Sequence, residues 1–162
     1  MDMNDVETLN FRALGGADTI TVNDMSGTDV TRVGIDLGGA NGGGDGAADT
    51  IIINATSGDD VVLVTGANGT ISILGLSAEI DIFNFEANDR IIINGLGGDD
   101  VIEGSALLGG LSFTANGGDG DDVLIGGDGA DSLNDGAGDD VLIGGLGLDI
   151  LNGGLGNNIL IQ

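Results

Sequence analysis

The chain has 162 residues, the size of a single domain, and sets 27 acids against three arginines for a net charge of −24. It has 34 glycines but no proline, cysteine, histidine, lysine, tryptophan or tyrosine. This composition excludes disulfides and thiolate sites, removes the usual general bases and nucleophiles, and disfavours nucleic acid or an anionic membrane as partner. Oxygen is the donor left for a metal, which selects a hard cation. High glycine and charge are marks of disorder, but the 41% of hydrophobic residues recur with a period. The expectation is disorder without metal and order with it. The start, MDMNDVETLNF, has neither a basic region nor an apolar core, so no cleavable signal peptide is expected. No stretch reaches the ~18 apolar residues of a membrane span.

Short aliphatic segments bounded by Gly, Asn or Asp predict strands from end to end. In chain order they are 9–11, 20–22, 33–37, 51–53, 61–64, 71–74, 80–83, 91–93, 101–103 and 111–113. Five more follow at 123–125, 132–134, 141–143, 150–152 and 159–161. No helical apolar period competes with them. Residues 1–94 have longer Ile- and Val-rich strands and irregular turns, of which those around Asn68, Glu79 and, at the junction, Ser105 lack a stacked acid. Residues 95–162 have minimal strands, with 104–116 read as one half-coil with a modified turn.

From Gly117 to Ile161 the chain is an uninterrupted tandem of five nine-residue units: GGDGDDVLI, GGDGADSLN, DGAGDDVLI, GGLGLDILN and GGLGNNILI. A fixed short period signals a stacked architecture. A three-residue strand and a six-residue turn reverse the chain, so two units make an 18-residue coil, and coils stack as parallel strands ~4.8 Å apart. Fifteen such half-coils give about seven and a half coils by that spacing. Leu124, Leu133, Leu142, Leu151 and Leu160 should line the interior. With two units per coil, Asp122 stacks on Asp140 along one edge and Asp131 on Asp149 along the other. Counting through 104–116 places Asp100 on the Asp122 edge. Charges ~5 Å apart repel by ~3 kcal/mol at an effective dielectric near 20, so the ladder needs a cation. Isolated acids such as Asp24, Asp36, Asp81 and Asp135 read as solvated turn residues.

The units resemble the RTX nonapeptide G-G-x-G-x-D-x-U-x, U being a large aliphatic residue. The unit at Gly117 fills every defined position with Gly117, Gly118, Gly120, Asp122 and Leu124; the next keeps Gly127, Gly129, Asp131 and Leu133. The third begins with Asp135 instead of glycine, and the last carries Asn158 in place of the acid. Looser copies hold Gly98, Asp100 and Ile102; Asp49; Gly58, Asp60 and Val62; and Asp29 and Asp18. The resemblance implies an all-β, right-handed parallel β-roll, or β-solenoid, with several Ca²⁺ ions held between stacked Gly-Asp turns. The implied ligands are the side chains of Asp100, Asp122, Asp131, Asp140 and Asp149. The backbone carbonyls of Gly118, Gly120, Gly127, Gly129, Gly136, Gly138, Gly145 and Gly147 complete the set. Asp18 with Asp49, Asp29 with Asp60, and Asn158 are further candidates.

It also implies a non-catalytic, monomeric module of a secreted bacterial protein. Such a module is exported by a type I pathway, lies near the C-terminus of a larger chain and folds on meeting Ca²⁺. The alternative is a structural or adhesive surface protein, with outward residues such as Val61, Leu63 and Ile92 meeting a partner.

Overall fold

The computed structural model describes residues 5–67 and 69–162 and shows fifteen strands and no helix among them. Fourteen of the fifteen aliphatic segments fall in these strands; of 111–113 only Phe113 does, since β10 begins there. One sheet runs in the order β1 (Thr8–Leu14), β3 (Arg32–Gly39), β7 (Glu79–Phe83), β6 (Thr70–Leu74), β5 (Val61–Ala67), β9 (Val101–Leu107), β11 (Val123–Ile125), β13 (Val141–Ile143), β15 (Ile159–Ile161). The other runs β14 (Ile150–Asn152), β12 (Ser132–Ala137), β10 (Phe113–Asp119), β8 (Arg90–Gly97), β4 (Thr50–Asn54), β2 (Thr19–Val22). From β7 onward the chain alternates between sheets, and from β8 onward every neighbouring pair is parallel. The architecture is a parallel roll.

In the tandem the coil is the expected 18 residues: Val123 aligns with Val141, and Ser132 with Ile150. One level earlier it lengthens to 22, with Val101 beside Val123 and Ile91 beside Phe113. The extra residues lie around 108–112, between β9 and β10.

One expectation fails upstream. Segments 71–74 and 80–83 are not successive half-coils: β6 pairs antiparallel with both β5 and β7, and all three lie in the same sheet. Ala67 pairs with Thr70, so β5 and β6 are joined by the two residues Asn-Gly, the sequence that favours a hairpin turn. This insertion moves Val61 and Val101, and Thr50 and Arg90, 40 residues apart in register. The roll therefore has six levels in its smaller sheet and nine strands in its larger one, not seven and a half uniform coils. Glu79 opens β7 and Ser105 lies within β9, so neither marks a turn. Asn68 lies outside the described residues.

Alternate residues of each strand face a single core between the sheets. Ile53, Ile93, Ala115 and Leu133 stack from one side, and Val62, Ile102, Leu124 and Leu142 from the other. Leu151 is only partly buried and Leu160 is 47% exposed, because no coil covers β14 and β15. Leu160 therefore stands outside the interior stack that the sequence assigned it.

Asp81, read from sequence as solvated, is buried in β7, where Arg32 of β3 pairs with it and Ser72 of β6 donates to it at 2.6 Å. Asp36 is likewise a strand residue, taking Arg12 at 3.2 Å and the Asn84 amide at 2.7 Å. Side-chain amides tie the levels of the smaller sheet together: Asn54 donates to Asn23, Asn94 to Asn54, Asn116 to Asn94 and Asn134 to Asn116, at 2.7–3.0 Å.

Replacing Ile82 with Ala should cost about 2–5 kcal/mol. Leu160→Ala should cost under about 1 kcal/mol. Equal losses in denaturant unfolding at fixed calcium would mean that the last level is packed like the interior.

Candidate metal centre

The turns that carry the chain from the smaller sheet to the larger end in paired acids: Asp59-Asp60, Asp99-Asp100, Asp121-Asp122 and Asp139-Asp140, then Asn157-Asn158. The two members of a pair clasp neighbouring levels in opposite senses. Oδ1 of the first acid accepts from the following level: Asp99 N–H donates to Asp59 at 3.0 Å, Asp121 to Asp99 at 2.9 Å, Asp139 to Asp121 at 2.9 Å and Asn157 to Asp139 at 2.8 Å. The second accepts from the preceding level: Asp60 N–H donates to Asp100 at 2.8 Å, Asp100 to Asp122 at 2.7 Å, Asp122 to Asp140 at 3.0 Å and Asp140 to Asn158 Oδ1 at 2.9 Å. The first ladder is exposed, and nothing in the nine-residue pattern separates it from the second.

The second ladder is where chemistry is left undone. Asp100, Asp122 and Asp140 are each 1% exposed, and the Oδ2 atom of each is buried with no hydrogen-bond donor. At the ends of the ladder the same atom is satisfied. Asp60 Oδ2 accepts from Thr56 N–H and Oγ1, and Asn158 offers an amide nitrogen that donates to Gly153 O. A neutral amide thus does at Asn158 what a cation must do at the three acids.

Carbonyl oxygens converge on the same places. The position that a Cβ on Gly95 would fill lies 2.6 Å from Gly117 O and against Asp100 Oδ2. The equivalent position on Gly126 abuts Gly144 O and lies 2.7 Å from Asp131 Oδ2. An inner carboxylate oxygen beside a carbonyl of the next level is a donor set suited to a hard cation, and these residues fit Ca²⁺.

On the opposite edge, Asp18 N–H donates to Asp49 at 2.8 Å and Asp49 N–H to Asp89 at 2.9 Å, so the Asp18–Asp49 stack exists and Asp89 extends it. Asp18 Oδ2 is buried without a donor. The acid ladder breaks at β10, where Phe113 aligns with Asp131 and donates its N–H to it at 2.9 Å. It resumes with Asp131 N–H on Asp149 at 3.0 Å. Asp131 differs from Asp122 because Gly127 N–H reaches its second oxygen at 2.7 Å.

Asp29 does not stack with Asp60. It accepts Asp5 N–H at 2.8 Å, while β7 and β6 separate β3 from β5. Gly118, Gly120, Gly127, Gly129, Gly136, Gly138, Gly145 and Gly147 form the stacked turn backbone. The carbonyls of Gly127 and Gly136 accept from Leu146 and Leu155 at 2.9 and 2.7 Å. A Cβ on Gly136 or Gly138 would strike the carbonyl of Gly118 or Gly120 one level below, so this close stacking requires glycine.

Asp135 overturns its sequence reading. It is 5% exposed, within β12, and neither carboxylate oxygen has a donor. One oxygen each from Asp122, Asp135 and Asp140 lie within 4.8 Å of one another. Burial, reinforced by the charges of Asp140 and Asp122, pushes the Asp135 carboxyl up to about 8. Burial also raises Asp100 to about 6, and it raises Asp122 and Asp131, against the backbone N–H groups that favour their ionised forms. Asp122, Asp135 and Asp140 cannot all stay ionised side by side without compensation: either a proton or a cation has to be shared among them.

The family model of the RTX calcium-binding nonapeptide repeat matches residues 92–106, 114–134 and 125–160, as four copies. No curated protein and no solved structure matches the chain. The chain carries RTX repeats, which bind Ca²⁺, and the matched residues include Asp100, Asp122, Asp131, Asp135, Asp140 and Asp149.

For an acid whose folded pKa is raised, the proton is bound more tightly in the folded state, so the resulting stability is present at low pH and lost as pH rises. The metal-free protein should therefore weaken from about pH 4 through about pH 6 and about pH 8, as Asp100 and then Asp135 ionise. Saturating Ca²⁺ should reverse that slope, because the ion binds the deprotonated forms. Thermal unfolding across this range, with chelator and with Ca²⁺, checks both signs; parallel slopes would contradict the assignment.

Proposed function

We propose that this segment is a non-catalytic calcium-binding β-roll that completes its fold on meeting extracellular Ca²⁺, as the C-terminal part of a larger secreted protein. The observation that carries the reading is the file of buried, donorless oxygens on Asp100, Asp122 and Asp140. Taking several carboxylates out of water without partners is strongly unfavourable, and a divalent ion shared between levels offsets that cost. Where Ca²⁺ is scarce the roll stays open; where it is plentiful the acids become the adhesive between levels. A chain without cysteine suits such a cycle, since no disulfide has to form before or after export. The winding is right-handed, as crossovers between parallel strands almost always are. Among the described residues no helix is long and apolar enough to cross a membrane. The chain lacks histidine, cysteine and lysine, and its clustered carboxylates lie inside stacked turns, which favours a binding role over catalysis.

The two halves draw on different forces. Between β3 and β8 the fully buried side chains are Ile- and Leu-rich, among them Ile35, Leu37, Ile51, Ile53, Ile71, Ile73, Ile80, Ile82, Ile91 and Ile93. Beyond residue 117 the buried aliphatics are Leu124, Leu133 and Leu142. At about 25 cal/mol per Å² of apolar area, residues 1–94 have much more of their own stability than 95–162, where metal must supply it.

Adding millimolar Ca²⁺ to metal-free protein should increase β-type circular dichroism, and chelator should reverse it. Mg²⁺ should be a poor substitute, because it demands tighter octahedral geometry. A spectrum unchanged across the titration would rule out metal-driven folding. In limiting Ca²⁺, amide exchange should lose protection first at Leu124, Leu142 and Leu151 while Ile73, Ile82 and Ile91 stay protected. Simultaneous loss would mean that the roll opens as one unit.

A further inference from the structure

The third unit of the tandem departs from the others at its first residue, and the departure points inward. Gly95, Gly117, Asp135 and Gly153 occupy one column, one residue per level. Glycine is favoured there because the inner oxygen of the turn acid fills the space of a Cβ: Asp100 Oδ2 at Gly95, Asp122 Oδ2 at Gly117 and the Asn158 amide at Gly153. Asp135 puts a second carboxylate where the repeat leaves room for one. Its Oδ1 lies 2.5 Å from the position that a Cβ on Gly117 would take, and so reaches up toward the level of Asp122.

We propose that Asp135 converts this level into a three-carboxylate cation site, formed with Asp122 and Asp140, which takes the first and tightest Ca²⁺ of the roll. The proposal rests on the calcium reading above and goes further, because Asp135 occupies a position that the repeat gives to glycine. Two independent observations carry it. Oxygens of the three residues lie within 4.8 Å of one another, and all three side chains are at least nine-tenths buried. In addition, Asp122 Oδ2, both oxygens of Asp135 and Asp140 Oδ2 have no donor.

The remaining oxygens, Asp122 Oδ1 and Asp140 Oδ1, are held by the N–H groups of Asp100 and Asp122, which fix the two carboxylates in place. Of the four free oxygens, two sit on the held side chains of Asp122 and Asp140 and two on Asp135, whose buried position in β12 keeps it against them. Ligand charge count and rigidity are the two features that set calcium affinity. No other level presents three acids in this way among the described residues. The excess charge should favour a trivalent ion even more strongly than a divalent one, since attraction scales with the product of charges.

The test is calorimetric titration of the metal-free chain with Ca²⁺, and separately with Tb³⁺, for the wild type, D135G and D135N. D135G restores the residue of the other levels, and D135N keeps the shape without the charge. The wild type should show a class of one ion per chain at least tenfold tighter than the rest. Both variants should lose that class, with a larger loss for Tb³⁺, while binding of the weaker ions and circular dichroism at saturating Ca²⁺ stay as in the wild type. Absence of a tight class in the wild type, or its persistence in D135G, would overturn the proposal. So would loss of β structure in both variants at saturating Ca²⁺, which would make Asp135 a structural residue. Failure of the wild type to bind Ca²⁺ at all would instead remove the calcium reading itself.

Discussion

Stacked carboxylates govern this molecule. Each of Asp100, Asp122 and Asp140 divides its two oxygens between two tasks. Oδ1 accepts a backbone N–H from the preceding level and so sets the rise from coil to coil. At Asp100, Asp122 and Asp140, Oδ2 is turned inside, where neither water nor a donor reaches it. The first task builds the stack and the second puts it under electrostatic load. Like charges ~5 Å apart oppose each other by ~3 kcal/mol even at an effective dielectric near 20, so the geometry that aligns the turns also gathers charge that a bound cation would offset. Structure and ligand dependence come from the same side chain.

The remaining features accommodate that arrangement. Glycines at the second and fourth positions of a unit let one turn lie directly on another, since a Cβ on Gly136 or Gly138 would collide with the carbonyl beneath it. Stacked aliphatics make the interior, and the chain of amides from Asn23 to Asn134 ties the levels of the smaller sheet without adding charge. Upstream, the β5–β6–β7 meander widens one sheet and supplies an isoleucine-rich core, so those levels rest on apolar burial. Downstream, three-residue strands leave little to bury. Buried aliphatics are therefore dense upstream, whereas buried carboxylates make up much of the interior of the last coils.

Much of this was legible in the sequence because a nine-residue period leaves little freedom. Unit length fixed the 18-residue coil, and coil length fixed which acids meet: Asp122 with Asp140, Asp131 with Asp149, and Asp100 on the Asp122 edge. Where the period lapsed, so did the reading. Uniform spacing hid the hairpin, although the Asn-Gly between 67 and 70 was the available signal. Asp29 was given the wrong neighbour because that hairpin separates its strand from Asp60. Asp81 was judged by its type, whereas its place between Ile80 and Ile82 in a strand beside Arg32 decides its environment. By sequence Asp135 reads as a solvated turn residue. The column it shares with Gly95, Gly117 and Gly153 was visible in the repeat, but not that Asp135 meets Asp122 in the space at Gly117, with an oxygen of Asp140 also close by.

A crystal structure of the calcium-saturated chain, with ions located by their anomalous scattering, tests the central claim most directly. The account places ions between successive levels at Asp100, Asp122 and Asp140, with carboxylate oxygens at about 2.3–2.6 Å from the metal and the donorless Oδ2 atoms among them. Ions found solely along the exposed ladder of Asp59, Asp99, Asp121 and Asp139, with the inner oxygens still without a partner, would contradict it.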